Sequence, residues 1–222
     1  MRFVFKLKQI LSCPLLLFFF SCHDRINQEL NINNQNADTI SKDIPRERNG
    51  QMVGYYFDKL RVEKKAGLYP LEKGFDSLQI RIWYGYAHSD TCQIFKMSKT
   101  NGRWDGEIMQ LIIKRDIKKQ DSILSVLKST CSVSPRSGWD KFSTGIMDVG
   151  ILSLPDMNQI SGYLDVTESN TSVIVEIATQ KYYRIYSYAD PQFKTSIKEA
   201  KHLENILELI RDEFSFKQLK DI

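Results

Sequence analysis

Short runs of alternating apolar and polar residues dominate the chain from residue 77 to residue 188. Such alternation is typical of half-buried β-strands, because successive side chains of a strand point to opposite faces. We therefore predict a strand at 77–85 and an earlier strand at 52–57. In the run 77–85, four side chains share one face and three share the other: Leu78, Ile80, Ile82 and Tyr84 against Gln79, Arg81 and Trp83.

Two hairpins are predicted from turn residues between strand-like runs. Asn101-Gly102 separates 91–97 from 103–113, and Asn-Gly between such runs is the strongest short-range signal of a hairpin. A short polar turn separates 171–178 from 181–188. The run 123–133 is predicted as a strand, although its first residues also fit the period of a helix.

Two helices are predicted from apolar residues at helical spacing. The first follows Ser137, a candidate N-cap, and the second spans 197–214 behind a capping box of Ser196 and Glu199. The first helix places four apolar residues on one side: Trp139, Phe142, Ile146 and Val149. Hairpins combined with two helices indicate an α+β domain, an antiparallel sheet of about five to six strands with two helices packed on one face.

The N-terminus has the pattern of an export signal. Three basic residues precede an apolar stretch at 10–20, and Ser21 and Cys22 follow it. The stretch is shorter than the about 20 apolar residues that a transmembrane helix needs. A basic start, a short apolar run and a small residue are typical of a secretory signal peptide.

The residues Phe19-Phe20-Ser21-Cys22 resemble the lipobox of bacterial lipoproteins. Through this signal and Cys22, about the first tenth of its length, the chain resembles small lipoproteins of Gram-negative envelopes, whereas the globular domain resembles no family. The resemblance implies that the signal peptide 1–21 is removed and that Cys22 carries fatty acids such as palmitate. The expected location is a lipid anchor at the periplasmic face or at the cell surface. An ordinary secretory signal cut nearby, or an uncleaved anchor, would export the protein as well.

Composition and charge exclude several classes of protein and of binding partner. The 222 residues, 42% of them hydrophobic, suit one globular domain and exclude a collagen, a coiled-coil rod and a fully disordered chain. Residues 1–21 hold three of the 31 Lys+Arg residues, so the mature chain has 28 basic against 27 acidic residues. This near-neutral balance, together with export, makes us expect no nucleic-acid partner.

The mature chain is predicted to have two parts. Residues 22–50 comprise the lipidated Cys22 and a tether, and residues 51–222 comprise a single α+β domain. Residues 23–50 contain no aromatic residue and are rich in Asn, Gln and charged residues. Such a segment buries too little apolar surface to offset the entropy of the chain, so we expect it to be disordered.

Cysteines and histidines give little indication of chemistry. In an exported protein Cys92 and Cys131 are compatible with a disulfide, and equally with two buried free thiols. His88, Asp90 and Cys92 stand at alternate positions, the spacing that places metal ligands on one face of a strand, but a turn is the favoured interpretation. The sequence contains no GxSxG, P-loop, GxGxxG or HExxH motif. We therefore predict no metal, no cofactor and no catalytic residue.

Aromatic and arginine side chains offer a candidate binding face. Tyr, Trp and Arg are the residue types favoured at binding hot spots. A turn at 179–181 would place Glu176 opposite Arg184 across the last hairpin. The alternative is that the tyrosines simply pack beneath a loop or helix. The candidate face comprises six residues: Tyr182, Arg184, Tyr186, Tyr188, Arg81 and Trp83.

These observations favour a lipid-anchored binding module that recognises a protein or an envelope glycan. An immunity-type inhibitor of a toxin is one version of this hypothesis. The alternative is an envelope hydrolase with an unrecognised active site, because paired carboxylates can form without a sequence motif. A purely structural envelope component is a third possibility.

Overall fold

The computed structural model describes residues 40–86, 90–116, 122–165 and 172–214. These residues form an α+β domain, as predicted, with a seven-stranded sheet in the order β1-β7-β6-β2-β3-β4-β5. The strands are β1 (Ser41–Asp43), β2 (Leu78–Tyr84), β3 (Thr91–Thr100), β4 (Arg103–Arg115), β5 (Ile123–Ser132), β6 (Ser172–Ala178) and β7 (Tyr182–Ala189). The α-helices are α1 (Gly54–Lys65), α2 (Trp139–Asp148) and α3 (Lys198–Phe214).

Strands β2 to β5 form an antiparallel meander. Asn101 and Gly102 have φ values of 52° and 78°, which suit the tight turn that a right-twisted hairpin needs. The predicted hairpin is therefore confirmed, with Thr100 opposite Arg103 beside the turn. The run 123–133 is a strand, β5, and it pairs with β4 at the end of the sheet.

The β6–β7 hairpin lies on the other side of β2, where β6 pairs antiparallel with β2. The Thr179 amide donates to the Tyr182 carbonyl at 2.8 Å, which leaves two residues in the turn instead of three. This shorter turn shifts the register by one, so Glu176 lies opposite Ile185 and Ile177 lies opposite Arg184. The predicted Glu176–Arg184 pairing is wrong for this reason.

The two predicted helices, α2 and α3, pack on one face of the sheet as expected, and the additional helix α1 covers the other face. We call the side covered by α2 and α3 the α2/α3 face, where Phe142 and Leu203 pack on a core that includes Ile82 and Val175. We call the other side the α1 face. There Tyr56 and Val62 of α1 pack on Trp83, Ile94 and Tyr183.

The N-terminal prediction also needs correction, since the run 52–57 is the beginning of a helix and not a strand. Along α1 the buried side chains recur at helical spacing, but Lys59 and Glu63 are two of them. Because these two residues are charged, a search for apolar residues at helical spacing does not detect the buried side of α1. At the start of α2 the N-cap position is held by Gly138, and no side chain caps the helix. The predicted N-cap, Ser137, therefore does not cap it.

The folded part extends into the segment predicted as a tether. Residues 41–43 form β1, which pairs parallel with β7. This pairing makes the sheet mixed, and the Asp43 carboxylate accepts from the Arg184 guanidinium at 3.0 Å. The domain therefore begins before residue 51. The predicted signal peptide, Cys22 and His88 lie outside the described residues.

Candidate functional site

The tyrosines of the candidate face are covered by a loop of the same chain, to which their hydroxyls are hydrogen bonded. Tyr182, Arg184, Tyr186 and Tyr188 alternate along β7 as predicted, but Tyr186 and Tyr188 are each 0% exposed. The segment 151–156 lies over them. Tyr186 Oη donates to the Ile151 carbonyl at 2.7 Å and Tyr188 Oη to the Pro155 carbonyl at 2.8 Å.

Arg184 completes this attachment with a second set of bonds. Its guanidinium donates to the carbonyls of Leu152 and Leu154, in addition to its ion pair with Asp43. At the exposed end of the row, Tyr182 is 37% exposed, and its hydroxyl lies 3.3 Å from Asp43 Oδ2. The prediction of one exposed binding face is therefore wrong, because a loop covers the row of tyrosines.

Arg81 and Trp83 do not extend the tyrosine row, since they project from the opposite face of the sheet. Both belong to the α1 face and are buried, Arg81 at 3% and Trp83 at 0% exposure. Their neighbour across the β2–β6 ladder is Glu176, which lies directly opposite Arg81. The six predicted residues are thus divided between the two faces of the sheet, and Tyr182 stays exposed.

A buried ionic cluster occupies the place where α1 crosses β2 and β6. Lys59 Nζ donates to Glu176 Oε1 at 2.6 Å and to Glu63 Oε2 at 3.2 Å. Arg81 Nη1 donates to Glu63 Oε1 at 2.7 Å. Trp83 Nε1 donates to the second oxygen of Glu176 at 2.7 Å. Two cations thus meet two carboxylates, and each charge has a charged or polar partner.

The charges of the cluster set the ionisation of its acids. Burial raises the pKa of Glu63 to about 7, with the nearby Glu176 adding to the rise and Lys59 and Arg81 opposing it. Burial acts in the same direction on Glu176, but Lys59 and Arg81 outweigh it, and the pKa of Glu176 lies below its usual range. The two acids therefore ionise in different pH ranges.

A groove of about 430 Å³ opens beside this cluster. Its lining includes Leu60, Glu63, Leu68 and Glu72, which come from α1 and from the segment that follows it. A carboxyl group with a pKa near 7 suits a general acid. However, Glu63 is 1% exposed, and its two oxygens already accept from Lys59 and Arg81. This geometry suits a structural role for Glu63 better than contact with a substrate.

Cys92 and Cys131 are both free, so of the two alternatives that the sequence left open, the disulfide is not formed. Cys92 belongs to the core of the α1 face. Cys131 lies opposite Ile108, which packs against the core of the α2/α3 face. Side chains on opposite faces of one sheet cannot reach the separation that a disulfide needs. Cys92 is buried and Cys131 is exposed, so the alternative of two buried thiols is correct for Cys92 only.

Neither a metal site nor a membrane-spanning helix is found within the described ranges. No group of three or more His, Cys, Asp or Glu residues in these ranges is placed to hold a metal ion. Asp90 lies at the surface and accepts from the Ile113 amide through its carbonyl. Among the helices of the same residues, none has the length and apolarity that a bilayer span requires.

The most accessible candidate site is the outer edge of β5. This strand ends the sheet, and among the described residues no strand pairs with its outer side. Eight of its ten residues are exposed, whereas Ile123 is buried. Leu127 is 66% exposed and lies directly opposite Ile112, itself 48% exposed. An apolar pair therefore stands next to a row of unpaired backbone groups.

The two edges of the sheet differ in how they are protected. At the β7 side, β1 pairs with residues 182–184, and the Ser187 amide donates to Asp156 Oδ2 at 2.8 Å. At the β5 side the protection is a bulge beside Lys114 and Arg115 and one charged residue, Lys128. Because exposed strand edges invite pairing with another chain, β5 is the surface best suited to an interaction.

Comparisons with known proteins add no family. No family model matches the chain, and no curated protein matches it either. The candidate site therefore depends on the geometry of the chain itself.

Neither the buried ionic cluster nor the outer edge of β5 was predicted from the sequence. The alternation in 77–85 placed Arg81 and Trp83 correctly on one face, but nothing local indicated that α1 would bury them. The outer position of β5 follows from the order of strands, which the sequence pattern does not reveal. A usable signal was the low charge of 123–133, since one Lys is its only charged residue.

We predict that Lys59→Met strongly destabilises the fold. The substitution leaves Glu63 and Glu176 buried without their shared cation, and breaking a buried ion pair in this way costs about 3–5 kcal/mol. Urea denaturation of the purified chain measures the free energy of unfolding. Lys64→Met, on the exposed side of the same helix, is the matched control and should change that energy by less than about 0.5 kcal/mol. Equal effects of the two substitutions would contradict the role of the cluster.

We predict a pH dependence of stability that belongs to Glu63. In the folded protein Glu63 keeps its proton up to a pH of about 7, whereas an ordinary Glu loses it near 4.5. The free energy of unfolding should therefore fall as the pH rises from 4.5 to 7, by at most about 1.4 kcal/mol per pH unit. Urea denaturation at several pH values compares the native chain with Glu63→Gln, which should lack this component. Parallel pH profiles for the two proteins would show that Glu63 does not titrate in this range.

Proposed function

We propose that the protein is a lipid-anchored binding module of a bacterial envelope, and that it binds another protein through the outer edge of β5. The signal-like residues 1–21 and the lipobox-like Phe19-Phe20-Ser21-Cys22 support the anchor. An immunity-type inhibitor remains one version of this function.

The proposal that β5 binds another protein depends on one observation, which is that the two edges of the sheet are protected unequally. The β7 side is covered by β1 and by Asp156. The β5 side presents a strand of ten residues, of which eight are exposed. Proteins usually blunt such edges with charges, prolines or a covering segment. Among the described residues the other edge of the sheet is the three-residue strand β1, so β5 is the only long edge, and a long uncovered edge favours a surface that another chain covers.

A protein partner is favoured over a glycan. Glycan sites stack sugar rings on exposed aromatic side chains, and the tyrosine row that suggested such a site is buried at Tyr186 and Tyr188. The β5 edge instead offers backbone groups together with the apolar pair of Leu127 and Ile112. These are the groups with which a sheet edge recognises a peptide chain.

An envelope hydrolase is the second candidate, and the raised pKa of Glu63 is the observation that favours it. Glu63 and the groove beside α1 would then form the active site. The full set of bonds around Glu63 counts against this role.

A photo-crosslinking experiment tests the binding function. An amber-encoded benzoyl-phenylalanine replaces Leu127 in the full chain, expressed in the bacterium that carries the gene. Because Leu127 is the most exposed apolar residue of the edge, irradiation should give a discrete adduct with one envelope protein. The same replacement at Lys201, exposed on α3, is the control and should give no such adduct. Equal adduct patterns at both positions, or none at Leu127, would refute the proposed site.

The anchor has its own test in Cys22→Ser. If Cys22 is acylated, this substitution prevents both lipid attachment and cleavage by the lipoprotein route. The variant should therefore be larger than the native mature chain and should lose labelling by a palmitate analogue. Cys131→Ser, which removes an exposed thiol elsewhere in the chain, is the control and should keep the label. Unchanged size and labelling in Cys22→Ser would disprove the anchor.

A further inference from the structure

We infer that the partner of the β5 edge is an extended acidic segment, with an aliphatic side chain beside Leu127 and an acidic side chain opposite Lys128. This inference rests on the proposed function, because it specifies the chemistry of the partner at the same site.

The backbone of β5 determines the shape of the partner. The register with β4 is continuous from Ser132 back to Ser125, and the irregularity falls between Lys114 and Arg115, near the beginning of β5. A strand that pairs regularly on one side aims alternate N–H and C=O groups to the other side. Such a row accepts an added strand, which supplies main-chain hydrogen bonds over about eight residues. A folded helix or a flat surface would leave these groups unpaired.

The side chains of one face indicate an aliphatic contact. Leu127 and Ile112 lie side by side, with exposed fractions of 66% and 48%. An added strand places one residue directly beside Leu127, on the same face and within contact distance. An aliphatic residue at that position would shield both side chains from water, which stabilises the pairing.

The next residue along the strand gives the charge of the partner. Lys128 projects to the opposite face, since it lies opposite the buried Leu111 of the α1 face. Two pairs of nearby charges are already satisfied, since Lys96 pairs with Glu107 and Arg115 pairs with Asp58. Among the described residues Lys128 makes no ion pair within 4 Å. An acidic side chain at the facing position of the added strand would supply the opposite charge.

Lys128 also argues against a second copy of this chain as the occupant. It lies near the middle of β5. Antiparallel pairing of two β5 strands about their centres would therefore bring two ammonium groups opposite or nearly opposite each other. Like charges in such positions destabilise a sheet. An acidic segment of another protein avoids this repulsion.

Two peptides test the inference on the full chain, purified in mild detergent. The acidic probe is blocked Thr-Val-Glu-Val-Glu-Val-Thr, and the basic probe has Lys in place of both Glu. Isothermal titration should give a dissociation constant for the acidic probe that is about threefold lower than for the basic probe, as expected for one cross-strand ion pair. Lys128→Glu should reverse this preference. Salt should be kept low, because it screens exposed charges.

A matched pair of proline variants tests whether the probe pairs with the strand edge. Ser129 and Thr130 are adjacent, so one amide points to β4 and the other points outward. One of Ser129→Pro and Thr130→Pro should keep the native thermal midpoint and reduce probe binding at least tenfold. The other should lower the midpoint, because it breaks the ladder with β4. If neither variant keeps the midpoint, the donor is removed from the probe instead. N-methylation at the central Val and at the Glu that follows it removes two amides that point to opposite sides of the probe, and one of the two should reduce binding at least tenfold.

The outcomes separate this inference from the proposed function. A crosslinked partner at Leu127 without binding of either probe would overturn the extended acidic segment but leave the binding module intact. Equal binding of the two probes, unchanged in Lys128→Glu, would overturn the acidic character. Probe preference that reverses in Lys128→Glu would support the inference. A self-adduct of the chain at Leu127 would replace the inferred segment with a second copy.

Discussion

The contact between Lys59 and Glu176 determines how the two sides of the domain fit together. It joins α1 to the centre of the sheet at 2.6 Å, with both side chains 0% exposed. Ions removed from water are tolerated only when they are closely paired and hydrogen bonded. Arg81, Glu63 and Trp83 satisfy the remaining donors and acceptors. A shift of α1 by one turn would leave these charges unpaired, so the cluster fixes the position of the helix more strictly than apolar packing does.

The same bonds weigh against a catalytic role for the buried ionic cluster. A carboxyl group with a pKa near 7 invites a catalytic interpretation, but the partners that hold Glu63 also occupy it. The tyrosines of β7 present a similar case, since their hydroxyls are used to attach the segment 151–156. Features of the sequence that suggest function thus support the fold. Within the part of the chain that the structure describes, the outer side of β5 has no paired strand, and it is the site that we propose for interaction.

Local signals were sufficient for part of the fold. The hairpin at Asn101-Gly102 and helix α3 were predictable, because turn chemistry and an apolar stripe depend on neighbours in the sequence. Helix α1 was not, because its buried stripe includes Lys59 and Glu63, whose partners lie on β2 and β6. The alternation of β7 gave the correct faces, but the loop that buries Tyr186 comes from residue 151. The order of strands, and with it the candidate site on β5, depends on pairings between distant parts of the chain.

The pairing of β2 with β6 also has a kinetic consequence. Gln79 lies opposite Ala178, so this ladder closes a loop of about a hundred residues, and long loops lose more entropy on closure than short ones. Folding is slower where such distant contacts dominate. The β2–β5 meander and the β6–β7 hairpin contain only nearby pairings, so we expect them to form first and then to join. Until they join, the inner edges of β2 and β6 are uncovered, and a newly made chain is most prone to aggregation during that interval.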